Sequence, residues 1–245
     1  MIDHLQPLRV ECDRFAAAIA DADPGARVPS CPDWDLQELV THLGHVQRSW
    51  AGVIRSGEDV EPQAPDESDR PGEDLVGWFR EGAGRLLAAV EEAPSGRTAW
   101  TWWQAPRTAG AIARHQVQEA AVHRWDAEVA AGRSGSPLDP DVAADALDEF
   151  LHITVVELHR WVAWTAGAGV LELAPTDVAG TRWVVLGDDA APVPATEAPG
   201  PPTVRISGTA SDLVLLLYRR IPLDDVAVAG DGGLATAFVD WLVVD

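Results

Sequence analysis

Apolar residues recur at helical spacing through the first two thirds of the chain. Leu5, Leu8, Val10, Cys12, Phe15, Ile19 and Ala20 mark the buried face of a helix over 3–22, and Asp23-Pro24-Gly25 ends it. Asp35 followed by Glu38 has the capping-box pattern, opening a second helix over 35–56 with Leu36, Leu39, Val40, Leu43, Val46, Trp50 and Ile54 on its apolar face. An acidic, Pro-rich stretch over 57–72 reads as a loop. A third helix is predicted over 73–92 and a fourth over 108–132, which Gly132 ends. A fifth, over 139–165, starts at Asp139-Pro140, with proline at a first-turn position.

The pattern changes after Gly167-Ala168-Gly169. Leu171 and Leu173 alternate with polar or small residues, and Arg182–Leu186 and Thr203–Ile206 are short strand-like runs. Residues 187–202, broken by Ala-Pro and Pro-Pro pairs, read as a loop. A short helix over 210–219, a strand over 225–229 and a closing helix over 232–243 complete the chain. The fold class expected is therefore α+β, a helical domain over 1–166 followed by a small α/β domain over 167–245.

Composition narrows the function. The formal charge is -21, a field that repels phosphate backbones and argues against nucleic-acid partners. All 18 basic residues are arginine, so lysine chemistry such as a Schiff base or a P-loop is excluded. No apolar run approaches the roughly 20 residues of a membrane span. The N-terminus lacks a basic region followed by an apolar core, so the expected location is the cytoplasm. Cys12 and Cys31 make no disulfide framework, which agrees with a reducing compartment.

The candidate chemistry lies on the fourth helix. Glu119 and His123 are four residues apart and share a face, a spacing that lets two side chains chelate one divalent ion. Imidazole with carboxylate suits Zn²⁺, and also Fe²⁺, Mn²⁺, Co²⁺ or Ni²⁺. The same spacing also describes a solvated surface pair, and spacing alone does not separate the two. A third ligand must come from another helix. His42 stands among the core positions of the second helix; His45 is the alternative, facing about 60° away. His115 is one turn before Glu119 and could widen the cluster or sit beside it. His152 and His159 read as a packing face, and Trp100, Trp102 and Trp103 as packing or as the wall of a cleft between domains.

Three segments in order carry a resemblance. They are Val28-Pro-Ser-Cys-Pro-Asp-Trp34 running into His42, Arg114-His-Gln-Val-Gln-Glu119-Ala-Ala-Val-His123-Arg-Trp-Asp126, and Val204-Arg-Ile-Ser-Gly-Thr-Ala-Ser-Asp212 running through Tyr218-Arg219-Arg220. Together they resemble the mycothiol-dependent maleylpyruvate isomerase family of actinobacteria. The resemblance implies a DinB-like four-helix bundle, a small C-terminal α/β domain and an active site between them. It implies His42, Glu119 and His123 as the metal ligands, zinc as the metal, and mycothiol or a similar thiol as cofactor. In that family the thiolate adds to the double bond of maleylpyruvate, and elimination after rotation yields fumarylpyruvate. Asp126 is a candidate acceptor behind His123. An arginine from the C-terminal domain holds the anionic substrate, and the matching position is Arg220; Arg219 stands where the family usually has glycine. The expected function is cis-trans isomerisation or transfer of the thiol to an electrophile. The alternatives are a regulatory metal-binding protein without turnover and a thiol-independent, metal-assisted hydrolase.

Overall fold

The computed structural model describes residues 4–64, 66, 68–188 and 190–243. Residues 1–3 before the first helix, Pro65 and Glu67 in the acidic loop, Asp189 in the Pro-rich stretch, and Val244 and Asp245 lie outside them. The contacts divide the chain into two compact units, Met1–Ser136 and Pro137–Asp245. The sequence reading puts the division near residue 166, where helices give way to strands. The packing puts it earlier because the fifth helix packs on an element of the second unit.

The first unit holds α1 (Leu5–Ile19), α2 (Leu36–Ser56), α3 (Leu75–Glu92) and α4 (Ala109–Ala130). The predicted capping box opens α2: the Glu38 amide donates to Asp35 Oδ1 at 2.9 Å, and the Asp35 amide donates to Glu38 Oε2 at 2.8 Å. Gly57 closes it in the left-handed region at φ 64°. Helix α4 buries Ala109, Ala113, Ala120, Ala121 and Ala127 along with Ile112, Val117 and Val122, and also His115, Gln116, Gln118, His123, Arg124 and Asp126, so it is buried on nearly every side and forms the inner helix. It packs on α1 and α2, while α3 packs on α1 and α2. Phe15 of α1 meets Phe79 of α3 with ring centroids 4.5 Å apart. Gly44 lets α2 approach α3, since a Cβ there would lie 2.2 Å from the Trp78 ring. Arg124 of α4 is fully buried; its Nε donates to Glu11 Oε2 at 3.0 Å and its Nη1 to Glu128 Oε2 at 3.1 Å and the Ser136 carbonyl at 2.6 Å. That network ties α1 to α4 through paired charges.

The second unit starts with α5 (Pro140–Phe150), which continues through a π-helical turn (Leu151–Val155) into α6 (Val156–Leu158). The predicted helix over 139–165 therefore stops earlier. Beyond it the apolar residues serve a different neighbour: Trp164 packs 6.0 Å from Trp241 and 6.4 Å from Phe238, and Trp241 Nε1 donates to the Val162 carbonyl at 3.1 Å. The strands are β1 (Gly169–Pro175), β2 (Arg182–Gly187), β3 (Ala190–Ala195), β4 (Val204–Gly208) and β5 (Ala227–Gly230). They form one sheet in the order β3-β2-β1-β4-β5, with β1 and β4 parallel and the other pairs antiparallel.

Strand β3 corrects the reading of 187–202 as a loop. Val193 pairs with Val185 and Pro194 with Val184. Prolines are accommodated there because β3 is an edge strand with one side free of ladder bonds. Helices α7 (Ala210–Leu217) and α8 (Gly232–Trp241) pack on the sheet, and α5 packs on α7. Leu171, Leu173, Val184, Leu186, Val204 and Ile206 of the strands are buried, as are Leu213, Leu216, Leu217 and Phe238 of those helices. Arg182 of β2 grips Asp148 of α5 with two hydrogen bonds, at 3.1 and 2.9 Å. No helix among the described residues is long and apolar enough to cross a membrane.

Candidate metal centre

Two helices and one loop build the cluster, all within the first unit. Helix α2 presents His42, α4 presents Glu119 and His123, and their ligand atoms all lie within 4.8 Å of one another. His42 Nε2 is 3.3 Å and His123 Nε2 3.4 Å from the same carboxylate oxygen, Glu119 Oε1. Those spacings match the edge of a tetrahedron whose corners sit at metal-ligand bond lengths, about 3.4 Å for bonds near 2.1 Å. The donor set and its spacing therefore fit a divalent ion.

The surroundings hold these groups in place. His123 is buried, and its Nδ1 faces Asp126 Oδ2 at 2.9 Å. Asp126 is fully buried and accepts a second hydrogen bond from Ser30 Oγ at 2.6 Å. The indole of Trp34 lies 4.7 Å from the His42 ring and 6.3 Å from the His123 ring. His42 and Glu119 keep some exposure, at 31% and 18% of their side chains, so the cluster opens on that side.

Electrostatics point the same way. Burial opposes ionisation of Glu119, yet the charge of His123 and hydrogen bonds from His123 and His42 hold its carboxyl well below the usual range. Burial also opposes a charged His123, yet Glu119 and Asp126 push its pKa up to about 9. Without a metal, the cluster takes up a proton where it could take a cation.

The other histidines stand apart. His45 turns to the Asp69 carbonyl and the edge of Trp78, at 5.5 Å between centroids. His115 packs among Trp103, Trp102 and Trp50 at 5.1, 5.8 and 6.5 Å. The tryptophans of 100–103 thus serve a packing cluster of the first unit. His152 and His159 are exposed and hydrogen-bond the carbonyls of Asp148 and Val156, so they form no packing face. Cys12 is buried, which pushes its thiol up to about 12, an inert state.

In the second unit Arg220 is 8% exposed, and its Nη1 donates to the Tyr218 carbonyl at 2.8 Å. Arg219 is exposed and sits at φ 60°. The amides of Arg219 and Arg220 donate to Leu216 and Leu215 at 2.9 and 2.7 Å, the pattern of a Schellman motif, which explains why glycine suits position 219.

Sequence reasoning missed Ser30. It lies inside the Pro29-Ser30-Cys31-Pro32 stretch, but its partner is 96 residues away, and no local spacing pairs them.

A helical bundle in which α2 and α4 bring two histidines and a carboxylate together, followed by a mixed five-stranded unit, defines an α+β protein with a candidate metal site. Comparison with known families narrows this. The profile of the mycothiol maleylpyruvate isomerase N-terminal domain matches residues 5–128, and that of the MDMPI C-terminal domain matches residues 141–237. The chain belongs to the mycothiol maleylpyruvate isomerase family. Among solved structures, it is similar to a mycothiol-dependent maleylpyruvate isomerase at 15% identity and TM-score 0.62, covering 92% of this chain and 91% of that one. It is similar to a histidine-to-alanine mutant of a mycothiol-dependent maleylpyruvate isomerase at 14% identity and TM-score 0.63, with the same coverage of 92% and 91%. These likenesses are of fold. No curated protein matches the chain in sequence.

Proposed function

We propose that this protein is a metal-dependent enzyme working with a low-molecular-weight thiol of the mycothiol kind. It would carry out cis-trans isomerisation of a maleylpyruvate-like substrate or transfer of the thiol to an electrophile. The observation that carries the reading is the shared contact of His42 Nε2 and His123 Nε2 with one oxygen of Glu119, at 3.3 and 3.4 Å, inside a chain of this family. His42, Glu119 and His123 would hold the ion, and zinc is the metal we infer from two imidazoles and a carboxylate. When bound, the ion would keep an added thiol ionised near neutral pH, and the thiol would supply the reversible nucleophile that either reaction needs.

The chain's own residues prepare this. Asp126 accepts the Nδ1 proton of His123, which leaves Nε2 as the donor atom. Three protein ligands leave coordination room, which suits catalysis better than a structural role. Trp34 covers the two imidazoles with an apolar face. Arg220 is the arginine we assign to an anionic substrate, since its planar fork suits carboxylates. Its burial supports the choice over the exposed Arg219. The cytoplasm, where thiols stay reduced, is the proposed compartment.

The test has three arms. Elemental analysis of the purified protein should find about one zinc per chain, and His42→Ala should lose it. Adding a thiol to the cobalt-substituted protein should produce a thiolate-to-cobalt charge-transfer band. A cis-enone dicarboxylate should be isomerised only when thiol is present, and Arg220→Ala should raise its KM. Isomerisation without thiol would overturn the reading, cleavage of a substrate by water without thiol would turn it to a hydrolase, and a metal-loaded protein that binds no thiol and turns nothing over would make it a regulatory protein.

A further inference from the structure

The hydroxyl of Ser30 is the outermost member of a chain of contacts that ends at the metal cluster. Its Oγ donates to Asp126 Oδ1 at 2.6 Å, and Asp126 Oδ2 faces His123 Nδ1 at 2.9 Å. Asp126 and His123 are buried, so their contact is shielded from bulk water, while Ser30 is half-buried at the outer end.

Ser30 reaches this position because the loop between α1 and α2 is closed on itself. The amide of Val28 donates to the Trp34 carbonyl at 3.1 Å, that of Trp34 to Cys31 at 2.8 Å, that of Cys31 to Val28 at 3.1 Å, and that of Leu36 to Ala26 at 2.9 Å. Pro29 and Pro32 restrict the backbone on either side of Ser30. The same loop lays Trp34 over both imidazoles. One short segment thus sets the two rings of the cluster from outside the helices that carry them.

We propose that Ser30 is a positioning residue for His123, anchoring the Asp126 carboxylate in the orientation that keeps a proton on His123 Nδ1 and turns Nε2 toward Glu119. An aspartate three residues along the same helix reaches the ring by itself, but its terminal torsion is soft, and a hydrogen bond along one oxygen does not fix the plane of the carboxylate. The anchor on Oδ1 from another segment removes that freedom. Acceptors behind a ligating histidine orient the ring and raise its donor strength, and their loss costs affinity. The purpose of the arrangement rests on the proposed metal function; its geometry stands without it.

The experiment compares wild type with Ser30→Ala, Ser30→Thr and Asp126→Asn, using two readouts. In the metal-free protein labelled at histidine nitrogens, exchange of the His123 Nδ1 proton with water is followed by NMR. Ser30→Ala should exchange about tenfold faster, and Ser30→Thr, which keeps the hydroxyl, should match wild type. In chelator competition, zinc affinity should fall about threefold to tenfold in Ser30→Ala and about tenfold to a hundredfold in Asp126→Asn, with Ser30→Thr unchanged. Exchange in Ser30→Ala within about twofold of wild type overturns the proposal, and so does equal zinc affinity in a protein that binds zinc. If wild type takes up no zinc, the metal reading fails and the exchange measurement alone decides the role of Ser30. Should Ser30→Ala not fold, Ser30→Cys, a weaker donor, replaces it in both measurements.

Discussion

His123 and Arg124 are neighbours on α4, about 100° apart around its axis, and they sit in two buried polar clusters of opposite character. Around Arg124 every charge meets its opposite: Glu11 and Glu128 accept from the guanidinium, and Arg14 donates to the other Glu11 oxygen at 2.8 Å. Around His123 the atoms that converge are all acceptors in their unprotonated state, two imidazole nitrogens and a carboxylate oxygen, and they pair only by taking up a proton or a cation. Burial of charge does not separate the two clusters. What separates them is whether the protein completes the pairing by itself.

That contrast can be broken most sharply by mutation. Arg124→Ala leaves Glu11 buried without its guanidinium partner from α4, and should cost about 3–5 kcal/mol of stability in urea unfolding, with or without zinc. A loss below about 1 kcal/mol would show that the network is not a closed structural pair. His123→Ala should instead abolish the stabilisation that zinc gives, about 3 kcal/mol at a hundredfold excess over the dissociation constant. Thermal melting with and without zinc measures it, and a zinc-dependent rise that survives in His123→Ala removes the cluster as the metal centre.

The pH dependence sharpens the comparison further. The folded-state pKa of His123 is raised from 6.5 to about 9, so its contribution is complete below about 6.5 and disappears as the pH climbs through 9. Metal-free protein should lose up to about 3 kcal/mol over that window in urea titrations, and His123→Ala should flatten the curve. Zinc needs the site unprotonated, so its affinity should rise with pH up to about 9, by at most about tenfold per unit. The smallest effect lies in the second unit: Arg219→Gly relieves a left-handed residue and should stabilise the protein by about 1 kcal/mol in urea unfolding.

Local features of the fold were legible in the sequence. The Asp35 and Glu38 capping box lies within one turn, and the pairing of Glu119 with His123 needs only the helical repeat. The family resemblance favours His42 over His45, and the structure brings His42 to the cluster while His45 turns to Asp69. Features set by tertiary packing were not legible. The prolines of β3 read as breakers because nothing local announces an edge strand. Trp161 and Trp164 continue the apolar pattern of α5, yet Trp161 is exposed and Trp164 answers to α8. Ser30 and Asp126 meet across a separation that no periodicity spans.

His42 and Glu119 stand 77 residues apart, and all of α3 lies between them. A cation shared by the two would act as a reversible cross-link, closing that stretch of chain into a loop. The ion would bind the folded site and not the unfolded chain, so its whole binding free energy would count toward folding. Removing the ion with a chelator would then do more than silence a reaction: it would withdraw that binding free energy and shift the folding balance of the whole first unit.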